Sequence, residues 1–168
     1  DGIRTDGDLR ASIDTETEDL RAMVEALRHR VDEVDQRLIQ LDFQQRYADR
    51  VCMEKVLYPD REAGLQPAYV FEPVGRVAGE SLPGLVILHG GYHSSLGPEF
   101  FPHIVRAVSE GYVVIFPEYR GSRGYGKAHY DAQDYGGKDV DDVLAAADYL
   151  AGRERRQPAR NPRRQSRW

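Results

Sequence analysis

"LVILHGGYHSSLGPEFFPHIVRAVSEGYVVIFPEYRGSRGYG", residues 85–126, decides how this chain folds. Leu85 to Leu88 run apolar without alternation and stop at Gly90 and Gly91, the pattern of a strand buried on both faces that ends in a tight turn. In "PEFFPHIVRAVSEG" (98–111), Phe100, Ile104, Val105 and Val108 share one helical face, and Gly111 supplies the stop. "YVVIFP" (112–117) is a second buried strand. Strand, helix and strand in this order indicate an α/β unit with a mostly parallel sheet.

The same alternation extends in both directions. "MEKVLYP" (53–59) and "PAYVFEP" (67–73) read as strands joined by the turn-forming "DREAG", and "GRVAGESLPG" (75–84) as a polar loop. Downstream, "KDVDDVLAAADYLAG" (138–152) is a helix expected to turn Val140, Val143, Leu144, Ala147 and Leu150 inward. Residues 51–152 are therefore expected to form one α/β domain.

Residues 1–50 read differently. Gly and Pro are absent from Asp8 to Arg50, and Leu20, Leu27, Val34 and Leu41 repeat every seven residues with Val24, Val31 and Leu38 between them. That alternation of three and four is the seam of an amphipathic, coiled-coil-like helix, expected over residues 8–49. A parallel partner would set Arg30 against Asp35 and Arg37 against Asp42, so a homodimer through residues 20–41 is expected; a helix packed on its own domain is the competing reading.

The net charge of −5 is unevenly spread: residues 151–168 contribute +6, leaving −11 on residues 1–150. An acidic body repels nucleic acid, so no nucleic-acid partner is expected. Residues 153–168, with two prolines and almost no apolar side chain, are expected to form a basic disordered tail, natural or arising from a frame slip. No apolar run is long enough to span a bilayer and no signal pattern opens the sequence, which favours a cytoplasmic protein without membrane contact. The single cysteine, Cys52, excludes an internal disulfide and fits a small hydrophobe on a strand. His89, His93 and His103 have no recognised metal spacing, so neither metal nor cofactor is expected.

Three motifs in order carry a family resemblance: "LVILHGGYHS" (85–94), "GYVVIFPEYRGSRGYGKAHYDA" (111–132) and "DYGGKDVDDVLAAADYL" (134–150). Residues 53–152 resemble the first half of the catalytic domain of the prolyl oligopeptidase family of serine peptidases. The resemblance implies a truncated half of an α/β-hydrolase fold preceded by the long helix. It implies a peptide or ester substrate cleaved through an acyl-enzyme, with peptidase favoured over the esterase or dienelactone-hydrolase type.

Glycines after a strand, at the carboxyl edge of a parallel sheet, leave amides bare to approach a developing oxyanion. By themselves they fit an ordinary strand-to-loop turn equally well; the resemblance implies that His89, Gly90, Gly91 and Tyr92 are the oxyanion-loop candidates. Tyr119, Arg120, Gly121, Ser122, Gly124, Tyr125 and Gly126 are expected to shape the active-site loop, since GxxGxG is not the dinucleotide pattern GxGxxG. Asp139, Asp141 and Asp142 suit the positive end of a helix rather than a catalytic triad.

None of the serines at 12, 81, 94, 95, 109, 122 and 166 lies in the GxSxG elbow that this chemistry needs. In the resemblance that elbow follows one further strand beyond Leu150, with the acid and histidine later still. No catalytic residue is therefore assigned, and the chain is expected to be inactive by itself. A second class of function is a non-catalytic interaction protein, with the heptad helix dimerising and the half-hydrolase serving as scaffold.

Overall fold

A computed structural model describes residues 5–77, 80–91 and 93–156, without the side chains of Asp8 and residues 154–156. Helix α1 spans Asp6–Tyr47 as one uninterrupted element of 42 residues, matching the expected helix to within two residues at each end. Strands β1 (Val51–Pro59) and β2 (Leu65–Pro73) form an antiparallel hairpin from Val51↔Pro73 to Pro59↔Leu65. The "DREAG" turn closes it as read: Asp60 Oδ1 accepts the N–H groups of Glu62 (2.8 Å) and Gly64 (2.7 Å).

Strand β3 (Gly84–Val86), a 3₁₀ turn (Pro98–Phe100), helix α2 (Phe101–Ser109) and strand β4 (Val113–Pro117) complete the decisive stretch. Helix α3 (Lys127–Asp131) and helix α4 (Lys138–Arg156) follow. The sheet order is β1-β2-β4-β3, with β4 antiparallel to β2 and parallel to β3. The sheet is thus mixed rather than mostly parallel. A short turn between β1 and β2 leaves no length for a parallel crossover, whereas α2 supplies one between β3 and β4.

Both sheet faces are covered. Tyr69 and Phe71 of β2 with Val114 and Phe116 of β4 pack against Phe43 of α1 and Phe101, Ile104 and Val108 of α2. Alternate residues Ala68, Val70, Val113 and Ile115 face Ala145, Ala146 and Leu150 of α4 on the other side, with Tyr58. Continuous apolar runs fit β2 and β4, which bury both faces, but not the run from Leu85 to Leu88: β3 is the edge strand, only three residues long, and Leu85 and Leu88 are exposed rather than buried.

Helix α4 departs from the expected pattern in two ways. Val140 and Leu144 are exposed, while Asp142, Ala145, Ala146, Leu150 and Arg153 are buried. The inward stripe includes two charged residues, which an apolar count cannot register. The helix also runs past the boundary expected at residue 152: Arg153 donates to Glu54 (2.7 Å) and Glu72 (3.3 Å), tying α4 to β1 and β2. Residues 153–156 are therefore helical rather than tail. The remainder of the expected tail, 157–168, lies outside the described residues.

Candidate functional site

Because β3 and β4 run parallel, the segments leaving them, 87–97 and 118–126, emerge at the same edge of the sheet. These two segments contain every candidate named from sequence. Tyr92 lies outside the described residues; His89, Tyr119, Gly121 and Ser122 are joined by one hydrogen-bonded seam, with the remaining candidates on the same two segments.

His89 sits at its centre, with its side chain fully buried. Its Nε2 lies 2.8 Å from Ser122 Oγ, and Ser122 Oγ in turn donates to Tyr119 O (2.6 Å). Tyr119 stacks on the imidazole at 4.4 Å between ring centroids. Its hydroxyl donates to His89 O (2.8 Å) and lies 3.1 Å from Nδ1. Burial holds the His89 pKa down at about 4, so the ring is neutral. Ser122 already uses its proton on Tyr119 O, which leaves it an acceptor. The neutral ring carries a single N–H, with the Ser122 hydroxyl on one side and the Tyr119 hydroxyl on the other. A ring locked in this way is a positioning group for the loop.

Further contacts close the two segments along their length. His93 Nδ1 donates to Gly121 O (2.8 Å), and its ring lies on Tyr130. Arg123 donates to Ser94 O (3.1 Å) from its backbone and to Ser95 Oγ (3.2 Å) from its side chain. Leu96 N–H donates to Glu118 Oε1 at 2.8 Å.

Gly90 and Gly91 stand out against this background. Both are exposed, and neither N–H is bonded to an acceptor among the described residues. Gly91 takes φ +77°, and a Cβ at either position would meet open space. Two bare amides thus stand at the sheet edge on a loop anchored by the buried ring next to them. Such an arrangement can donate to a carbonyl oxygen or an anion.

The second segment is shaped by Arg120. Its guanidinium grips Asp142 of α4 through Nε–Oδ2 and Nη2–Oδ1, each 2.8 Å, and reaches Glu62 Oε2 at 3.1 Å. The hydrogen bonds to Asp142 raise the Arg120 pKa further. Asp142 is fully buried and also accepts the Arg120 N–H (3.1 Å), so it is a structural counter-ion rather than a surface acid at a helix start. Gly121, Gly124 and Gly126 have φ +93°, +93° and +85°, which explains their GxxGxG spacing as a run of left-handed turns. Tyr125 lies under the Lys55 ammonium, 4.7 Å from its ring centroid.

Sequence reading missed Glu118 and His129. Glu118 is fully buried at the end of β4 and lines a cavity of about 280 Å³ between α1 and the second segment. Burial pushes its pKa up to about 8. Its Oε2 has no hydrogen-bond partner among the described residues, and His89 Nε2 lies 3.9 Å away. His129 Nε2 donates to Tyr119 O (3.0 Å) and its carbonyl accepts Gly121 N–H (2.8 Å), closing the glycine turns from α3. A charged residue directly after a buried strand was the one available signal for Glu118. Among the described residues no group of three or more His, Cys, Asp or Glu side chains is placed to hold a metal ion. No described helix is long and apolar enough to cross a membrane.

Comparison with known proteins finds related chains. Residues 98–160 match the model of the prolyl oligopeptidase family. Over 103 residues the chain is 31% identical to the uncharacterized peptidase YuxL of Bacillus subtilis, covering 60% of this chain and 16% of that protein. Over 70 residues it is 34% identical to acylamino-acid-releasing enzyme 1 of Oryza sativa subsp. japonica, covering 40% and 9%. Among solved structures, a puromycin-hydrolyzing peptidase of Mycobacterium tuberculosis superposes with TM-score 0.54 and 30% identity, covering 60% of this chain and 16% of that one. A prolyl endopeptidase superposes with TM-score 0.55 and 27% identity, covering 67% and 17%. The chain spans less than a fifth of the length of these relatives.

Proposed function

We propose that residues 51–156 are the leading part of a serine peptidase catalytic domain, supplying an oxyanion loop to a nucleophile that these 168 residues do not contain. The carrying observation is the pair of uncommitted amides, Gly90 and Gly91, at the edge where β3 and β4 end, beside the locked His89 ring. Each such donor contributes about 3–4 kcal/mol of transition-state stabilisation in enzymes that use one. In this reading the tetrahedral oxygen sits against Gly90 and Gly91, Arg120 and the three left-handed glycines hold the second wall, and a serine on an elbow completes the acyl-transfer site.

Amide rather than ester cleavage is supported by the relatives, which are named as peptidases, endopeptidases and an acylamino-acid-releasing enzyme. By itself the 168-residue chain is expected to be inactive, because no serine has the GxSxG setting. Two experiments test these statements. The purified chain should hydrolyse neither a fluorogenic peptide nor a p-nitrophenyl ester; turnover abolished by a fluorophosphonate would refute the inactivity. A chimera carrying residues 85–126 in place of the matching segment of the Bacillus subtilis relative should cleave peptides. A folded chimera without activity would remove the oxyanion assignment.

The outward heptad seam of α1 supports a second reading, in which the chain acts as an interaction protein with the α/β body as scaffold. The two readings are compatible.

A further inference from the structure

Helix α1 has two apolar faces, and only one is covered. On the covered face Phe43 is fully buried, 5.1 Å from Phe71 and 4.9 Å from Phe101 between ring centroids, and Ile39 and Tyr47 pack beside it. Gln36 on the same face donates to Gly124 O. At about 100° per residue, the heptad positions fall roughly half a turn around the helix from this face. There Leu20, Val24, Leu27, Val31, Val34, Leu38 and Leu41 each keep between 46% and 62% of their surface exposed. A contiguous apolar stripe of that kind marks a contact surface.

We propose that this stripe is a parallel, in-register coiled-coil interface with a second copy of the same chain. Val24, Val31 and Leu38 occupy the first core position of successive heptads, and Leu20, Leu27, Val34 and Leu41 the second, so valine prevails at the first and leucine at the second. β-branched residues at the first and leucine at the second favour two parallel strands. The flanking charges select the same arrangement. In register, Glu16 meets Arg21, Arg30 meets Asp35 and Arg37 meets Asp42 of the other copy, three opposite-charge pairs without a like-charge one. An antiparallel partner would bring Arg30 and Arg37 together. Within one chain Arg30, Asp35 and Arg37 have no ion-pair partner among the described residues, unlike Arg28 with Glu25 and Arg46 with Asp42. Val24, Leu27 and Val31 also border a groove toward Gly126, Lys127 and Tyr130, so one side of the stripe faces the body of the same chain and the partner helix is expected along its other side.

Sedimentation equilibrium on the 168-residue chain tests the interface. The expected result is a dimer of twice the 19.1 kDa chain mass. Leu27→Asp with Val31→Asp should weaken self-association about a hundredfold or more, because a charge cannot be desolvated in the seam. Arg30→Asp with Arg37→Asp, and separately Asp35→Arg with Asp42→Arg, should each weaken the homodimer; mixing the two variants should restore a dimer. In a Cys52→Ser background, Val24→Cys should cross-link under mild oxidation, since equivalent core positions face each other only in a parallel register. A monomer at micromolar concentration overturns the proposal. So does association unchanged by the Leu27 and Val31 substitutions, which would place the contact elsewhere. Failure of the Val24→Cys chains to cross-link overturns the parallel register.

Discussion

Arg120 and Asp142 are joined fork to fork, with two nitrogen–oxygen contacts of 2.8 Å, and the carboxylate also accepts the arginine's own backbone N–H. Three side-chain and main-chain donors on one carboxylate make this the tightest link between the glycine-rich segment and α4. Removing the arginine leaves the buried Asp142 charge without its counter-ion. Arg120→Ala is expected to lower unfolding stability by about 3–5 kcal/mol in urea titrations. The exposed Arg106–Glu110 pair provides the control, and Arg106→Ala should leave the urea midpoint nearly unchanged because solvent screens the pair. Equal losses from the two substitutions would contradict the argument.

Glu118 predicts an unusual pH dependence. Its folded pKa, about 8, lies above its ordinary 4.5, so the folded chain holds this proton where the unfolded chain has released it. Stability from this group is therefore complete below pH 4.5 and declines as pH rises toward 8, by up to about 1 kcal/mol per pH unit. Glu118→Gln preserves an acceptor for Leu96 N–H and should flatten stability between pH 6.5 and 8, measured by thermal melts. A slope unchanged by the substitution would show that Glu118 is charged when folded.

His89 acts in the opposite sense. Its folded pKa, about 4, lies below the ordinary 6.5, so stability from the neutral ring is present above pH 6.5 and lost as pH falls toward 4. His89→Gln should flatten the acid side of the profile at some cost in absolute stability, because Ser122 loses its ring partner. NMR titration of the His89 ring would check the value directly.

The glycines divide into two kinds. At Gly121, φ is +93° and an added Cβ would stand 3.0 Å from Gln133 Cβ, so Gly121→Ala meets both backbone strain and a side chain that cannot move aside freely. The expected loss is about 1–3 kcal/mol. Gly90 has neither constraint, and Gly90→Ala should change stability by under about 0.5 kcal/mol. Guanidinium titrations of the two variants separate the cases.

Arg153 tests whether α4 docks through its last turn. It is buried between Glu54 and Glu72, and Arg153→Ala is expected to cost about 2–3 kcal/mol, below the full buried-pair loss because Glu54 retains partial solvent contact. A chain ending at residue 152 should be destabilised by a similar amount.

What could be read from sequence followed from how far apart the interacting residues are. Strands β2 and β4 and helix α2 show themselves as apolar runs and a 3.6-residue stripe, because neighbours in sequence fill their cores. The hairpin turn was legible from "DREAG" through Asp60 alone. The face of α4 was not, because its inward stripe depends on Asp142 and Arg153, whose partners lie 22 and 81–99 residues away. Likewise Gly90 and Gly91 could be nominated from "HGG", but the lock on the loop comes from Ser122, 33 residues on. Ser122 had been read only as a residue shaping the second segment. Periodicity carries no information about such pairings, and a buried acid such as Glu118 breaks the apolar count it would need to join.

The uninterrupted length of α1 has a mechanical consequence. From Phe43, where the helix is clamped, to Asp6 is 37 residues, or about 55 Å along the axis at 1.5 Å per residue. Without glycine or proline between Asp8 and Arg50 to hinge it, the element behaves as a stiff ruler. Whatever engages its far end is kept at a set distance from the glycine amides, and a tilt of a few degrees at the clamp becomes a displacement of several ångströms at the tip.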